Sequence, residues 1–171
     1  EPVTVVISQK GFVRSRTGHG HDATIMNYKM GDAFFQAFEC RTTDQMVAVS
    51  NTGRVYTIDV ADLPSARGDG LPINSFIDLE KGTHLIGYCV AKPEAKIVMA
   101  TSDGMGFVCH FKDLLARVRA GKNFLRLSSD TAKVLVPEVV EDNQTMLACL
   151  SEQGRLLIYG LDEVRTLPGG G

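Results

Sequence analysis

Apolar residues along this chain come in short runs broken by polar turns, and no stretch carries the 3.6-residue period of a long amphipathic helix. Four segments share one pattern: VTVVISQKGFVRS (3–15), MVAVSNTGRVYTI (46–58), IVMATSDGMGFVCHF (97–111) and MLACLSEQGRLLIY (146–159). In each, an apolar run meets a Ser-containing polar turn with Gly, and a second apolar run follows. The pattern predicts four β-hairpins, the glycine supplying the positive φ of a tight turn.

A second shared element follows the last three hairpins. An aspartate is followed eight residues later by a glycine, as Asp62 and Gly70, Asp113 and Gly121, Asp162 and Gly170. The aspartates stand 51 and 49 residues apart, with arginine between each Asp and its Gly. These stretches predict one helical turn with the aspartate at its start as a cap, then a glycine loop. Strand-like segments precede the next hairpin in each case: LPINSFIDL and THLIGYCV, then NFLRL and KVLVPEVV. About four strands per unit at a period near fifty residues is the pattern of propeller blades, each burying its faces on its neighbours. An ordinary β-sandwich is the competing reading. One domain over residues 1–171 with about four repeats is expected, truncated before a final blade. The 17 glycines among 171 residues suit that many turns.

Charge changes the picture only locally. The formal net charge of −2 argues against a whole-surface grip on nucleic acid. Residues 113–126, however, hold four positive side chains against one negative, while 130–171 hold three against seven. The four cysteines, Cys40, Cys89, Cys109 and Cys149, are too far apart for a zinc motif and three lie in apolar runs. They read as buried reduced thiols of a cytosolic protein. No apolar run is long enough to span a membrane.

Candidate chemistry is thin. His19, His21 and Asp22 could ligate a metal but lack further ligands nearby, and the polar glycine loop is favoured. Cys109 and His110 are adjacent in a strand and point to opposite faces. Ser50, Ser102 and Ser151 recur at hairpin turns, which is turn chemistry. SDGMG (102–106) lies in a turn and not between strand and helix. The arginines carry more. Arg54 and Arg155 follow hairpin glycines, and Arg67, Arg119 and Arg165 sit in the Asp-to-Gly loops. Repeat-equivalent positions share one perimeter of a radial array, so these would form a curved basic track suited to phosphate. The residues alone leave nucleic acid and a protein partner both open.

The stretches EPVTVVIS, GFVRSRTGH, NYKMGD, VSNTGRVYTIDVADLPSARGDGLP, MATSDGMGFVCHFKDLLARVRAGK and GRLLIY span nearly the whole chain. Together they resemble the C-terminal domain of the A subunit of bacterial type IIA topoisomerases, the topoisomerase IV branch above the gyrase branch. The resemblance implies an all-β pinwheel: a propeller-like array of four-stranded blades with strands exchanged between neighbours, here an open or partial ring. It implies non-sequence-specific binding and bending of double-stranded DNA around the perimeter, presenting segments for ATP-dependent strand passage, relaxation and decatenation in chromosome segregation. The domain would be a cytoplasmic, nucleoid-associated monomer without a cofactor of its own. Its parent enzyme uses Mg2+ and ATP elsewhere. Its protein partners are the N-terminal part of the same polypeptide, together with the B subunit of an A2B2 assembly. The cleaving tyrosine lies in that N-terminal part, so Tyr28, Tyr56, Tyr88 and Tyr159 take no such role. The Q-R-R-G-x-x-G box of gyrase has only faint echoes, in residues 65–70 and 169–171, which predicts bending without strong chiral wrapping. Four units also fall short of the family's five or six blades. Phosphate contacts are expected from Arg14, Arg16, Arg54, Arg67, Arg117, Arg119, Lys122 and Arg155, with Lys29, Arg126 and Arg165 as further candidates. A gyrase A domain or a protein-binding β-propeller scaffold are the alternatives, and a propeller enzyme would need a central polar cluster.

Overall fold

Each pair of apolar runs closes into an antiparallel hairpin. The computed structural model describes the backbone of residues 1–141, 146–150 and 156–171, and the side chains of 1–141, 148 and 160–171. The hairpins are β1 (Pro2–Ser8) with β2 (Phe12–Thr17), β4 (Gln45–Ser50) with β5 (Arg54–Asp59), β8 (Lys96–Ala100) with β9 (Gly106–His110), and β12 (Met146–Leu150) with β13 (Leu156–Gly160). Among the described residues every helical turn is of the 3-10 type, and no helix is long and apolar enough to cross a membrane.

The remaining strands assemble the hairpins into blades, and two of them do so across repeats. β3 (Phe34–Arg41) pairs with β1, and β7 (Leu85–Cys89) pairs with β4. β6 (Leu71–Pro72) follows the second hairpin in the chain yet pairs with β2 of the first. β10 (Lys122–Asn123) follows the third hairpin and pairs with β5 of the second. The resulting orders are β3-β1-β2-β6 and β10-β5-β4-β7; a third sheet has β8 between β9 and β11 (Glu138–Val139). The third hairpin receives the same help through backbone bonds from Val108 N to Arg165 O (2.7 Å) and from Leu167 N to Val108 O (2.8 Å). No ladder among the described residues joins the first sheet to the last, so the array is open. The fold is the exchanged-strand pinwheel that the resemblance implies.

Strand periodicity explains the stacking. In β4, Met46 and Ala48 face one cluster with Val3, Val5, Ile7 and Tyr88, while Val47 and Val49 face a second with Ile97, Met99 and Phe107. The second blade is thus buried on both faces, which is why its strand reads as an unbroken apolar run. In the first blade a segment of its own repeat covers the other face. That face carries Thr4, Val6 and Arg14, all buried, and the segment 18–33 lies over it with Ala23 inside. Thr4 Oγ1 donates to Gly18 O (2.8 Å) and the Tyr28 hydroxyl to Ala23 O (2.6 Å).

Three local expectations are corrected. LPINSFIDL is strand only at Leu71 and Pro72 and then turns as 3-10 from Ile73 to Ser75, because proline ends the donor pattern of the ladder. NFLRL contributes only Asn123 to a strand; the amides of Phe124 and Leu125 both donate to Gly53 O (3.1 and 3.0 Å), which forces the chain to bend there. The regularly spaced aspartates lie within or at the end of the 3-10 turns and do not begin them. Asp113 Oδ2 reaches back to accept from His110 N (3.0 Å), satisfying a donor at the turn's start from its third position.

Cys40, Cys89 and Cys109 are buried thiols, while the side chain of Cys149 lies outside those described. Burial pushes Cys40 up to about 11, helped by nearby Asp44, and pushes Cys89 and Cys109 up to about 12. Folding therefore favours the neutral thiol. This contribution is complete below the ordinary thiol pKa of about 8.5 and is lost as pH rises above it. At pH 8 these three cysteines are expected to resist alkylation until the chain is unfolded, read by peptide mass spectrometry. Fast labelling of Cys89 in the native protein would contradict the packing between the second and third blades.

Candidate nucleic-acid interface

The arginine-bearing loops are shaped by the exchange. Each leaves a 3-10 turn, crosses to the preceding blade and delivers the exchanged strand. The first loop docks through Ser15 N to Pro64 O (2.8 Å) and Ala66 N to Ser15 O (2.9 Å). The second docks through Ala116 N to Thr57 Oγ1 (2.8 Å). Ser15 and Thr57 occupy equivalent places in their hairpins, so the two loops are repeat-related. A cleft lies beside each. The first, of about 1380 Å³, is lined by Arg16, His21, Arg67 and Asp69 among others; the second, of about 670 Å³, by Asp59, Asp62, Lys112, Arg117 and Arg119 among others.

The structure divides the predicted contacts by what their donors already do. Arg16, Arg67 and Arg117 are exposed, and no ion pair or side-chain hydrogen bond engages their guanidiniums among the described residues. Arg126 and Arg165 are likewise exposed, with side chains unengaged among the described residues; Arg126 N donates to Gly171 O, and Arg165 O accepts from Val108 N. Lys29 is exposed with its Nζ 4.2 Å from the centre of the Phe12 ring. Arg119 is 57% exposed yet meets Asp78 Oδ1 at 3.4 Å and donates to Ser75 O at 3.3 Å. Such an exposed pair holds little and can exchange its carboxylate for a phosphate.

Three others are committed inward. Arg14 is 4% exposed; it donates to Gly68 O (2.8 Å) and Asn27 O (2.6 Å) and lies over the Tyr28 ring at 5.0 Å. Arg14 was expected to meet phosphate; a guanidinium buried on carbonyls would have to give up both bonds to do so. Arg54 donates from Nε to Ala120 O (2.6 Å), from Nη1 to Asn123 Oδ1 (3.1 Å) and from Nη2 to Gly121 O (3.3 Å). Lys122 donates to Asp113 O (2.7 Å) and lies over the Phe124 ring. Arg155 lies outside the described residues.

Sequence reading missed the acidic side of the second cleft, where Asp59 and Asp62 share the lining with the arginines, and missed Lys112, paired with Glu94 at 3.3 Å. The repeated Asp-to-Gly spacing was the available signal for Asp62. The histidines of segment 18–33 are turned to backbone. His19 Nε2 lies 2.9 Å from Cys40 O and His21 Nε2 2.8 Å from Thr17 O. No group of three or more His, Cys, Asp or Glu side chains gathers as a metal site among the described residues. Cys109 points into the core while His110 turns the other way to Asp113 at 3.7 Å, so the pair does not meet.

Comparison with known proteins agrees with this geometry. The family model described as DNA gyrase C-terminal domain, beta-propeller, matches residues 44–86 and 95–141. The chain is 42% identical over 170 residues to the A subunit of DNA topoisomerase 4 from Salmonella typhimurium, covering 99% of this chain and 22% of the relative. It thus spans under a quarter of that relative's length. The solved structure of the E. coli ParC C-terminal domain superposes with a TM-score of 0.92 at 42% identity, covering 99% of this chain and 69% of that one. A DNA gyrase A C-terminal domain structure superposes with a TM-score of 0.68 at 22% identity, covering 99% of this chain and 58% of that one, which speaks for the fold alone.

Proposed function

The chain belongs to the DNA gyrase C-terminal domain family of β-propellers, and on that premise we propose that it binds and bends double-stranded DNA without sequence preference. Within that reading it is the C-terminal domain of a topoisomerase IV A subunit. It presents DNA segments for strand passage, relaxation and decatenation by an A2B2 enzyme whose breakage chemistry resides in the rest of that polypeptide. The observation that carries the reading is the pair of repeat-related clefts, each bordered by exposed arginines: Arg16 of β2 with Arg67 of the first exchanged loop, and Arg117 with Arg119 of the second. A duplex laid across successive blades meets cations at a spacing set by the repeat. Guanidiniums at these places grip phosphate oxygens, which position a duplex and read no bases. Lys29, Arg126 and Arg165 extend the same set. Bending a site of this size costs on the order of 1–6 kcal/mol, so several contacts must act together.

Titrating the chain with a duplex of about forty base pairs from low to moderate salt tests this. A slope of log K on log salt of about −4 to −7, with little change between sequences, is expected from four to eight phosphate contacts. Binding that is absent, or that ignores salt, would sink the reading and favour a protein partner.

A further inference from the structure

Two arginines predicted to touch phosphate instead hold the loops that carry the others. Arg54 sends three donors into the loop of the next repeat, to the carbonyls of Ala120 and Gly121 and to the Asn123 side chain. Arg14 reaches the carbonyl of Gly68 in the loop that docks on its own hairpin. In each case the anchored carbonyl stands one or two residues beyond an exposed arginine, Arg67 or Arg119. These tips have few other restraints. Residues 67–69 and 117–120 are exposed; besides the arginine anchors, Arg67 N donates to Ser65 Oγ (3.3 Å) in the first tip, and the second is fixed by Gly121 N to Val118 O, by Asp78 N to Arg119 O (2.9 Å) and by the Arg119 side chain on Ser75 O and Asp78.

The two anchors arise from different hairpin positions. Arg54 directly follows the turn glycine Gly53, whereas Arg14 stands three residues after Gly11. In the third hairpin the matching positions hold Met105 and Phe107, and backbone bonds to Val108 hold its loop. The same kind of anchor thus comes from two different hairpin positions, in the two loops whose bonded carbonyls follow an exposed arginine.

We propose that Arg54, and Arg14 in the first blade, are positioning residues for DNA: they touch no phosphate and hold the arginine-bearing loops in the shape that grips it. The proposal rests on the reading that those loops bind DNA. A loop already ordered spares the duplex the entropy of ordering it, and this ordering is worth about three- to tenfold in affinity. A fork of guanidinium donors can span two carbonyls and an amide; a lysine ammonium keeps the charge but not the fork.

The test compares Arg54→Lys, Arg54→Gln and Asn123→Ala in the 171-residue chain. Both Arg54 variants are expected to lose about three- to tenfold in affinity for the forty-base-pair duplex. Their salt slopes should match the parent, and hydrogen exchange across residues 116–121 should accelerate. Asn123→Ala removes one exposed acceptor, leaves the fold intact should the Arg54 variants misfold, and should lose about twofold. Full binding by Arg54→Lys, with a slope shallower by about 0.9 in Arg54→Gln, would make Arg54 a phosphate contact and overturn the proposal. Unchanged binding in all three variants would overturn it too. If the parent itself fails to bind DNA, the functional reading falls. The exchange measurement then still decides the anchoring: unchanged protection of 116–121 in Arg54→Lys refutes it.

Discussion

Gly121→Ala is expected to lower stability by about 3–4 kcal/mol and the melting temperature by roughly 6–15 °C. Gly121 sits at φ +67°, a left-handed conformation that side chains disfavour by about 1–2 kcal/mol. A methyl there would stand 2.2 Å from Val55 O and 2.8 Å from the Tyr56 ring, and neither can retreat, because Val55 lies in the β5 ladder and Tyr56 is fully buried. Gly70 is built alike, at φ +91° with Val13 O at 2.5 Å. The glycine that closes the eight-residue spacing is where the exchanged strand enters the neighbouring blade, so the substitution strikes the link between blades. Two controls separate the causes. Gly104 has φ +85° but open space, so its alanine variant should show only the backbone cost of about 1–2 kcal/mol. Gly68 has neither strain nor a neighbour within 4 Å, and its alanine variant should be neutral to slightly stabilising. Equal losses for Gly121→Ala and Gly104→Ala in urea melts would mean that the exchanged strand does not pack as described.

Replacing Arg16, Arg67, Arg117 and Arg119 together by glutamine should nearly abolish DNA binding while leaving the fold intact, since all four are exposed. Four lost phosphate contacts make the slope of log K on log salt shallower by roughly 3.6 and lower the affinity near 0.1 M salt by on the order of 10²–10³-fold. Any single member should cost about 0.9 in slope, a modest loss by itself. The matched control neutralises Lys81, Lys92, Lys96 and Lys133, also exposed but away from both clefts. Its slope should change by less than about one unit. If the two quadruple variants weaken binding alike, the grip is diffuse charge and the arginine track has no special role. Asp59 and Asp62 beside Arg117 place a limit on how much the second cleft adds, because they repel the same phosphates.

The hairpins were legible because their causes are local: a few apolar residues, a glycine turn and the two-residue alternation that buries MVAV on both faces. The repeat was legible because the Asp-to-Gly spacing recurs. β3 carried no such mark, since most of its residues, Phe35 and Glu39 among them, are half-buried or exposed. The exchanged strands β6 and β10 are two residues long, and nothing in Leu-Pro or Lys-Asn announces a partner in another repeat. The site divided along the same line. That arginines recur in the loops is a property of the sequence. Which of them are free is not, because Arg14 and Arg54 bond carbonyls 54 and 66 residues away, and every residue has a carbonyl to offer. Local patterning thus determined the strands, the repeat and the cationic loops, whereas the long-range crossing of backbone decided which guanidiniums hold the protein and which stay exposed to solvent.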